Sequence, residues 1–346
     1  MLIKKLNPLK NRLFSMMTGS FRNSERINLI ESLPRDSEIK VLITRPNHRL
    51  GNQLLLTPLI QEINKQFPNC KIHLIVNGNL SYILLSNYQC VETIFNLPKK
   101  PFNNIIGYLK KSLSLILNKY DIAIVGCEDS NSSKIFVKLS RAKLKIYNSG
   151  TNKLNKPEHI AKIPVYNLRK FMNPSEGSTH RYPKLSIKLS RQEIEKGDQL
   201  IKALFNGEKK TICIFTFATG NKCLSKKWWL KFYKELKTEF TDYNILEILP
   251  NENVSQINFK SVHFYSNNLR EIASVIENSV VFIGADSGIM HLSSSTNTTT
   301  FGLFNVTNSK TYEPYGDKNE SVKTNSLKIS EIITKIKESI FYNQDI

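Results

Sequence analysis

Short apolar runs alternate with stretches of helical spacing from Lys40 onward, and that alternation constrains the fold more than any other feature of this chain. Lys40-Val-Leu-Ile-Thr44, Lys71 to Val76, Val91 to Leu97 and Tyr120 to Val125 read as buried strands. Between them, Gly51 to Phe67 carries Leu54, Leu55, Leu59, Ile60 and Ile63 on one helical face, Leu80 to Ser86 forms a short helix, and Asn103 to Asn118 a longer one. Strand and helix in alternation at this spacing require right-handed crossovers and a parallel sheet. Leu144 to Tyr147 adds an edge strand. After a breaker-rich stretch with Asn173-Pro174, Gly177 and Pro183, the plan repeats. Helices are predicted at Ser190 to Phe205, Lys227 to Phe240 and Leu269 to Glu277, with strands at Thr211 to Phe215, Asn244 to Leu249 and Val280 to Ile283. The expected fold class is therefore α/β, two Rossmann-like doubly wound parallel-sheet domains facing a cleft. The expected divisions are a basic N-terminal segment (1–35), a first domain (36–172), a linker (173–183), a second domain (184–326) and a closing helix (327–346). That helix, with Ile329, Ile332, Ile333, Ile336 and Ile340, packs in a core or docks back on the first domain.

The stretch Val281 to Gly316 points most directly to function. An apolar strand runs into Gly284-Ala-Asp286-Ser287-Gly288-Ile-Met290-His291-Leu292 and restarts as a helix, whose first N–H groups lack intrahelical acceptors and favour an anion. A second short strand, Thr300 to Phe304, leads into another polar loop, Asn305 to Gly316. Two consecutive strand ends thus place polar loops at the sheet edge where open α/β folds collect nucleotides. Two halves around a cleft suit a reaction that brings a nucleotide-bound donor to a separate acceptor.

Lys and Arg total 49 against 29 Asp and Glu, a net charge of +20, which implies acidic partners: nucleic acid, an anionic membrane surface or a phosphorylated substrate. A solvated basic surface accounts for the charge equally well. No RNA-binding signature, zinc-finger spacing or concentrated basic helix occurs, which argues against nucleic acid. Cys70, Cys90, Cys127, Cys213 and Cys223 are widely spaced without a CxxC pair, so they read as reduced thiols of a cytoplasmic protein. No run approaches the roughly 20 apolar residues that span a bilayer. Pro8, Lys10, Asn11 and Arg12 interrupt any signal-peptide core. Leu2, Leu6, Leu9, Leu13 and Met16 or Met17, with Lys4, Lys5, Lys10 and Arg12 between them, match a basic amphipathic segment lying peripherally on the inner face of the cytoplasmic membrane. A helix packed on the body or a disordered tail fits the same spacing.

Several pieces together resemble the ADP-heptose:lipopolysaccharide heptosyltransferases, glycosyltransferase family 9. Val41-Leu-Ile-Thr-Arg45, Leu50-Gly51-Asn52 and Leu56-Thr57-Pro58-Leu59 look like that family's first strand, LGD turn and TTPL helix. Gly284 to Leu292 is similar to its NDTGPMHLA signature, and Phe301-Gly-Leu-Phe304 with Tyr315-Gly316 to its LFGPT…YG tail. Lys226-Lys227-Trp228 matches a K-[RH]-W element, and Tyr120-Asp121 is also similar. The pieces run collinearly over residues 39–317. The resemblance implies a GT-B fold with an acceptor-side first domain and a donor-binding second one. It also implies inverting transfer of a sugar, heptose from ADP-heptose, to a lipopolysaccharide core or related glycolipid, with no cofactor and no bound metal. By the same carry-over Asp286, Ser287, Gly288, His291, Lys226 and Thr307 bind the donor. A lysine at the leaving diphosphate offsets charge that grows as the glycosidic bond breaks. His291 satisfied by a carbonyl, and Lys226 as a solvated lysine, are the plainer readings.

The main departure is Asn52 in place of the LGD aspartate, since an amide cannot take the acceptor's proton. His48, four residues earlier, has the chemistry for a general base, with Asn52 orienting the acceptor; Glu128 and Asp129 are further candidates. Arg45 and Arg49 flank His48 and suit an acceptor carboxylate or phosphate, or are surface charges. Asn305-Val-Thr307 replaces the family's GPT turn. Another nucleotide sugar and glycan, or a catalytically silent nucleotide-sugar or glycolipid binding protein, remain as alternative functions.

Overall fold

The computed structural model describes residues 37–97, 117–147, 156–173 and 181–342. The basic N-terminal segment, most of the 173–183 linker and the helix expected at Asn103 to Asn118, apart from its last two residues, lie outside the described residues. Contacts divide the chain into two units, one of residues 1–48, 58–82 and 88–183, the other of residues 49–57, 83–87 and 184–346.

The first unit holds β1 (Ile39–Thr44), β2 (Cys70–Asn77), β3 (Val91–Leu97), β4 (Lys119–Val125) and β5 (Arg141–Ile146) in the order β3-β2-β1-β4-β5. Every pairing is parallel. Leu42, Ile75, Tyr120, Ala123, Val125 and Val137 form a core cluster, and burial pushes the Tyr120 phenol up to about 12. Asp121 explains its place at the start of a strand. Its carboxylate accepts from the Lys40 backbone N–H at 2.9 Å and from Lys143 Nζ at 2.8 Å, joining β4 to β1 and β5. Behind the sheet, Arg169 donates through Nε and Nη2 to the two oxygens of Glu62, each at 2.8 Å, and its guanidinium lies 4.9 Å from the Tyr182 ring. Burial raises the Glu62 carboxyl, but the bonds from Arg169 and Gln66 outweigh it, and the carboxyl stays below its usual range.

The helix expected over Gly51 to Phe67 is two helices, α1 (Leu50–Leu54) and α2 (Thr57–Gln66). Pro58 is the cause. It has no N–H to continue a helical ladder, whereas at the second residue of a helix that N–H has no intrahelical acceptor in any case, so a helix begins again here instead of passing through. Thr57 Oγ1 donates back to the Leu54 carbonyl at 2.8 Å and closes the break. Two helices that were not expected, α4 (Asn131–Leu139) and α5 (Lys162–Met172), follow α3 (Leu80–Leu84) in chain order.

The second unit begins its regular course with α6 (Arg191–Phe205), capped by a reciprocal Ser190/Glu193 capping box. Its sheet holds β6 (Thr211–Phe215), β7 (Asn244–Ile248), β8 (Val262–Phe264), β9 (Val281–Ala285), β10 (Thr299–Phe304) and β11 (Glu320–Lys323), in the order β11-β10-β9-β6-β7-β8. All pairings are again parallel. The helices are α7 (Lys226–Glu239), α8 (Leu269–Glu277), α9 (Gly288–Ser293), α10 (Ser309–Tyr312) and α11 (Ile329–Tyr342). The isoleucines of α11, which left docking on the first half open, are buried in this unit's own core with Trp229, Phe232, Leu236, Val281 and Ile283.

Arg270, at the start of α8, is the main polar clamp of this unit. Its Nη2 donates to Glu193 Oε2 at 2.8 Å and to the Lys188 carbonyl at 2.9 Å, while Nη1 reaches the Ile187 carbonyl at 3.0 Å. The guanidinium holds the Glu193 carboxyl down at about 2. Because the folded value lies below the ordinary 4.5, this pair's stabilisation is complete above pH 4.5 and is lost as pH falls toward about 2. Arg270→Ala is expected to cost about 1–3 kcal/mol, because it leaves a half-buried carboxylate and two backbone carbonyls without their charged donor. In thermal melts, the advantage of the native protein over Glu193→Gln should be constant at neutral pH and shrink below pH 4.5; a difference independent of pH would refute the pairing's role.

Candidate functional site

In the second unit the parallel strands β6, β9 and β10 are neighbours, so the loops at their C-terminal ends emerge side by side. At the end of β9 the Asp286 N–H donates to the Leu303 carbonyl at 3.1 Å, and the chain turns through an extended Ser287 into α9. Ser287 caps the helix, its Oγ accepting from the Met290 N–H at 3.3 Å. The Asp286 carboxylate is buried, at 4% exposure, and faces Lys222 Nζ at 2.7 Å. Lys222 closes a 3₁₀ turn, Gly220–Lys222, that follows β6. Asn305, just past β10, straps that turn down by donating from Nδ2 to the Asn221 carbonyl at 2.9 Å.

The base of the β6 loop is fixed separately. Thr216 Oγ1 and Ser255 Oγ each donate to the buried Glu247 carboxylate at 2.7 Å, and the Gln256 N–H donates to Thr216 Oγ1 at 3.1 Å. Burial pushes the Glu247 carboxyl above its ordinary value against the pull of these hydrogen bonds. Each oxygen has its own donor, so the network holds the loop in one geometry.

Helix α1 packs on α9 within this unit, and the contact is made through glycines. A Cβ on Gly51 would lie 2.5 Å from His291 Cδ2, and one on Gly288 would lie 3.0 Å from Leu50 Cβ. Gly51 and Gly288 are therefore glycine for close approach, which places the buried His291 ring directly on α1 at Gly51. Two motifs more than 230 residues apart in the sequence meet here in one unit.

The structure thus brings together Asp286, Ser287, Gly288 and His291 with the glycine preceding Asn52, which is half-buried. Thr307 is half-buried in the loop after β10. Lys226 lies elsewhere: it is exposed as the first residue of α7, its Nζ 3.5 Å from Asn258 Oδ1. The lysine at the Asp286 turn is Lys222, which the K-[RH]-W resemblance passed over. Its signal was the breaker sequence Thr219-Gly220-Asn221 immediately before it, at the mouth of a predicted strand.

In the first unit His48 is exposed. Arg45 is 2% exposed and donates from Nη1 to the Gly126 carbonyl at 2.6 Å, so its guanidinium joins the ends of β1 and β4. Glu128 is engaged by Lys156 and accepts from Asn167 Nδ2 at 2.7 Å, while Asp129 is exposed. Arg49, assigned by contacts to the second unit, is exposed. Among the described residues no group of three His, Cys, Asp or Glu side chains is placed to hold a metal ion.

The family model for glycosyltransferase family 9 (heptosyltransferase) matches residues 110–338. That match takes in the Asp286 turn and leaves out β1 and α1. Among curated proteins the chain is similar to lipopolysaccharide heptosyltransferase 3 of Escherichia coli, 23% identical over 299 residues, with 77% of this chain and 84% of that protein covered. Among solved structures it is similar to a family 9 glycosyltransferase of Veillonella parvula (TM-score 0.70, 14% identity, 89% of this chain and all of that one). It is similar also to the E. coli ADP-heptose lipopolysaccharide heptosyltransferase II (TM-score 0.67, 13% identity, 88% of this chain and all of that one). At such identities the structural likeness is one of fold: two parallel-sheet α/β domains of the GT-B kind.

A methyl group at position 51 must displace the His291 ring. Gly51→Ala is expected to destabilise the protein by about 1–3 kcal/mol, as other overpacked sites do. The pairing is checked by a double-mutant cycle with His291→Ala, which removes the obstructing ring: additive losses would show that the two residues do not press on each other.

Proposed function

The chain belongs to glycosyltransferase family 9, and from that premise we propose that it is an inverting glycosyltransferase moving heptose from ADP-heptose to a lipopolysaccharide core or related glycolipid acceptor. The observation that carries the donor half of this reading is the Lys222–Asp286 pair at the start of α9. A diphosphate set against this turn meets the Lys222 ammonium, the N–H groups of the helix start and the Ser287 hydroxyl. As the glycosidic bond breaks, negative charge accumulates on the departing nucleoside diphosphate. A cation already positioned there lowers the barrier, because it interacts more strongly with the transition state than with the bound donor. Asp286, repelled by phosphate, keeps Lys222 in place and accepts from a sugar hydroxyl. Thr307 contributes a further hydroxyl from the neighbouring loop, and Lys226, whose Nζ is beside Asn258, serves the diphosphate less directly.

For the acceptor half, His48 is proposed as the general base. Its side chain is exposed, and an imidazole nitrogen is chemically suited to take the proton from a hydroxyl. Asn52 orients the acceptor by hydrogen bonds. Arg49 is the arginine proposed to grip an acceptor carboxylate or phosphate, since Arg45 already donates to Gly126. The proposed site of action is cytoplasmic; among the described residues no helix is long and apolar enough to cross a membrane.

Lys222→Met is expected to weaken donor binding and turnover by about ten- to a hundredfold, the size of one charge-assisted hydrogen bond, and Lys226→Ala by less. Equal affinity and rate in Lys222→Met would remove it from the site. His48→Ala is expected to lower turnover by about 10² to 10⁴ with donor affinity nearly unchanged, and a native rate would reject it as the base. Asn52 also motivates a second reading, a nucleotide-sugar binder without transfer activity. Single-turnover reactions with ADP-heptose and related donors separate the two: donor binding with no product from any glycolipid extract would favour the binder.

A further inference from the structure

The second unit also carries a groove of about 510 Å³ between the N-terminal ends of α7 and α11, and none of its lining residues belongs to the Asp286 turn. Lys227, Lys231 and Lys328 line it against one carboxylate, Glu235. That carboxylate stands 3.9 Å from Lys231, the outer limit of an ion pair, and the nearby Glu331 is turned to the Lys328 backbone N–H at 2.6 Å, so the three ammonium groups still outnumber the carboxylates around the groove. Lys226 and Lys227 part company here, because successive helical residues point about 100° apart: the former is near Asn258, and the latter faces the groove.

The rest of the lining is apolar and aromatic. Trp228 is half-buried and stacks on Phe232, ring centroids 5.1 Å apart and planes 10° from parallel, which holds the indole in a fixed orientation. Leu327 and Ile329 flank it. Lysines on flexible stems around an indole, beside short aliphatic side chains, are the combination that sits at the boundary between lipid headgroups and acyl chains. The ammonium groups meet phosphate while the ring and aliphatic carbons meet the glycerol and upper chain. An inorganic phosphate would use only the lysines.

We propose that this groove seats the phosphate headgroup of an anionic membrane lipid, with Lys227, Lys231 and Lys328 on the phosphate and Trp228 against the lipid backbone. The chain's net charge of +20 favours approach to the same surface. The site uses none of the residues assigned to donor or acceptor, and its occupancy is read without turnover.

The chain has two tryptophans, and only Trp228 faces the groove; Trp229 is fully buried. Indole emission of the full chain is therefore followed on titration with vesicles of phosphatidylcholine containing about one third phosphatidylglycerol, with pure phosphatidylcholine vesicles, and with inorganic phosphate. The expected result is a blue shift, with quenching by brominated lipid, for the anionic vesicles alone. Trp228→Phe should abolish the shift while the chain still partitions. Lys227→Gln/Lys231→Gln/Lys328→Gln should partition roughly a hundredfold more weakly at low salt, about fivefold per lysine near the surface, with an unchanged melting temperature. The proposal is overturned if anionic vesicles capture the chain without altering Trp228 emission, as binding through the N-terminal segment would. It is overturned equally if the triple variant partitions like the native chain, if no vesicle binds, or if inorganic phosphate alone reproduces the shift.

Discussion

A carboxylate buried at the start of a helix is stabilised by the helix N–H dipoles, yet it remains a desolvated charge that needs a cation. Asp286 finds one in Lys222, and much of the surrounding geometry in the second unit serves that meeting. Lys222 sits on a 3₁₀ turn with no helix of its own to fix it. Asn305 straps the turn from the β10 side, and Glu247, through Thr216, anchors the start of the same loop from the β7 side. Four neighbouring parallel strands, β10, β9, β6 and β7, thereby contribute Asn305, Asp286, Thr216 and Glu247 to holding a single lysine. The exposed face of that lysine is what remains for a ligand.

Much of the fold was legible because buried parallel strands are continuous apolar runs: β3, β6 and α8 match their expected limits, and most other expected elements lie within a residue or two. The errors have specific causes. Pro58 was read as part of a helix it in fact restarts, since the apolar face continues across it from Leu54 to Ile63. Helices α4 and α5 carry Lys, Ser and Asn among their apolar residues, and that dilutes the periodic signal.

At the site, the Asp286-Ser287-Gly288 turn and its capping serine were readable from a strand stopping at polar residues. Lys222 was not, because its importance arises from pairing across 64 residues with a carboxylate that sequence alone does not show to be buried. Arg45 illustrates the converse. A basic residue at a strand end looks like a ligand contact, but its guanidinium is satisfied by a backbone carbonyl eighty-one positions away. Asn305, a departure from the family turn, has a use after all: its amide side chain supplies the N–H that glycine lacks.

The glycine-to-histidine packing of α1 on α9 also bears on how the chain is made. Residues 49–57 leave the ribosome long before the strands of the unit that receives them, so that unit is not complete in any fragment beginning after the linker. Such a fragment would expose His291 and Gly288 where Gly51 and Leu50 belong. During synthesis, the early segment has to wait for its partner helix, which makes the α1–α9 contact a late event joining the first and last thirds of translation.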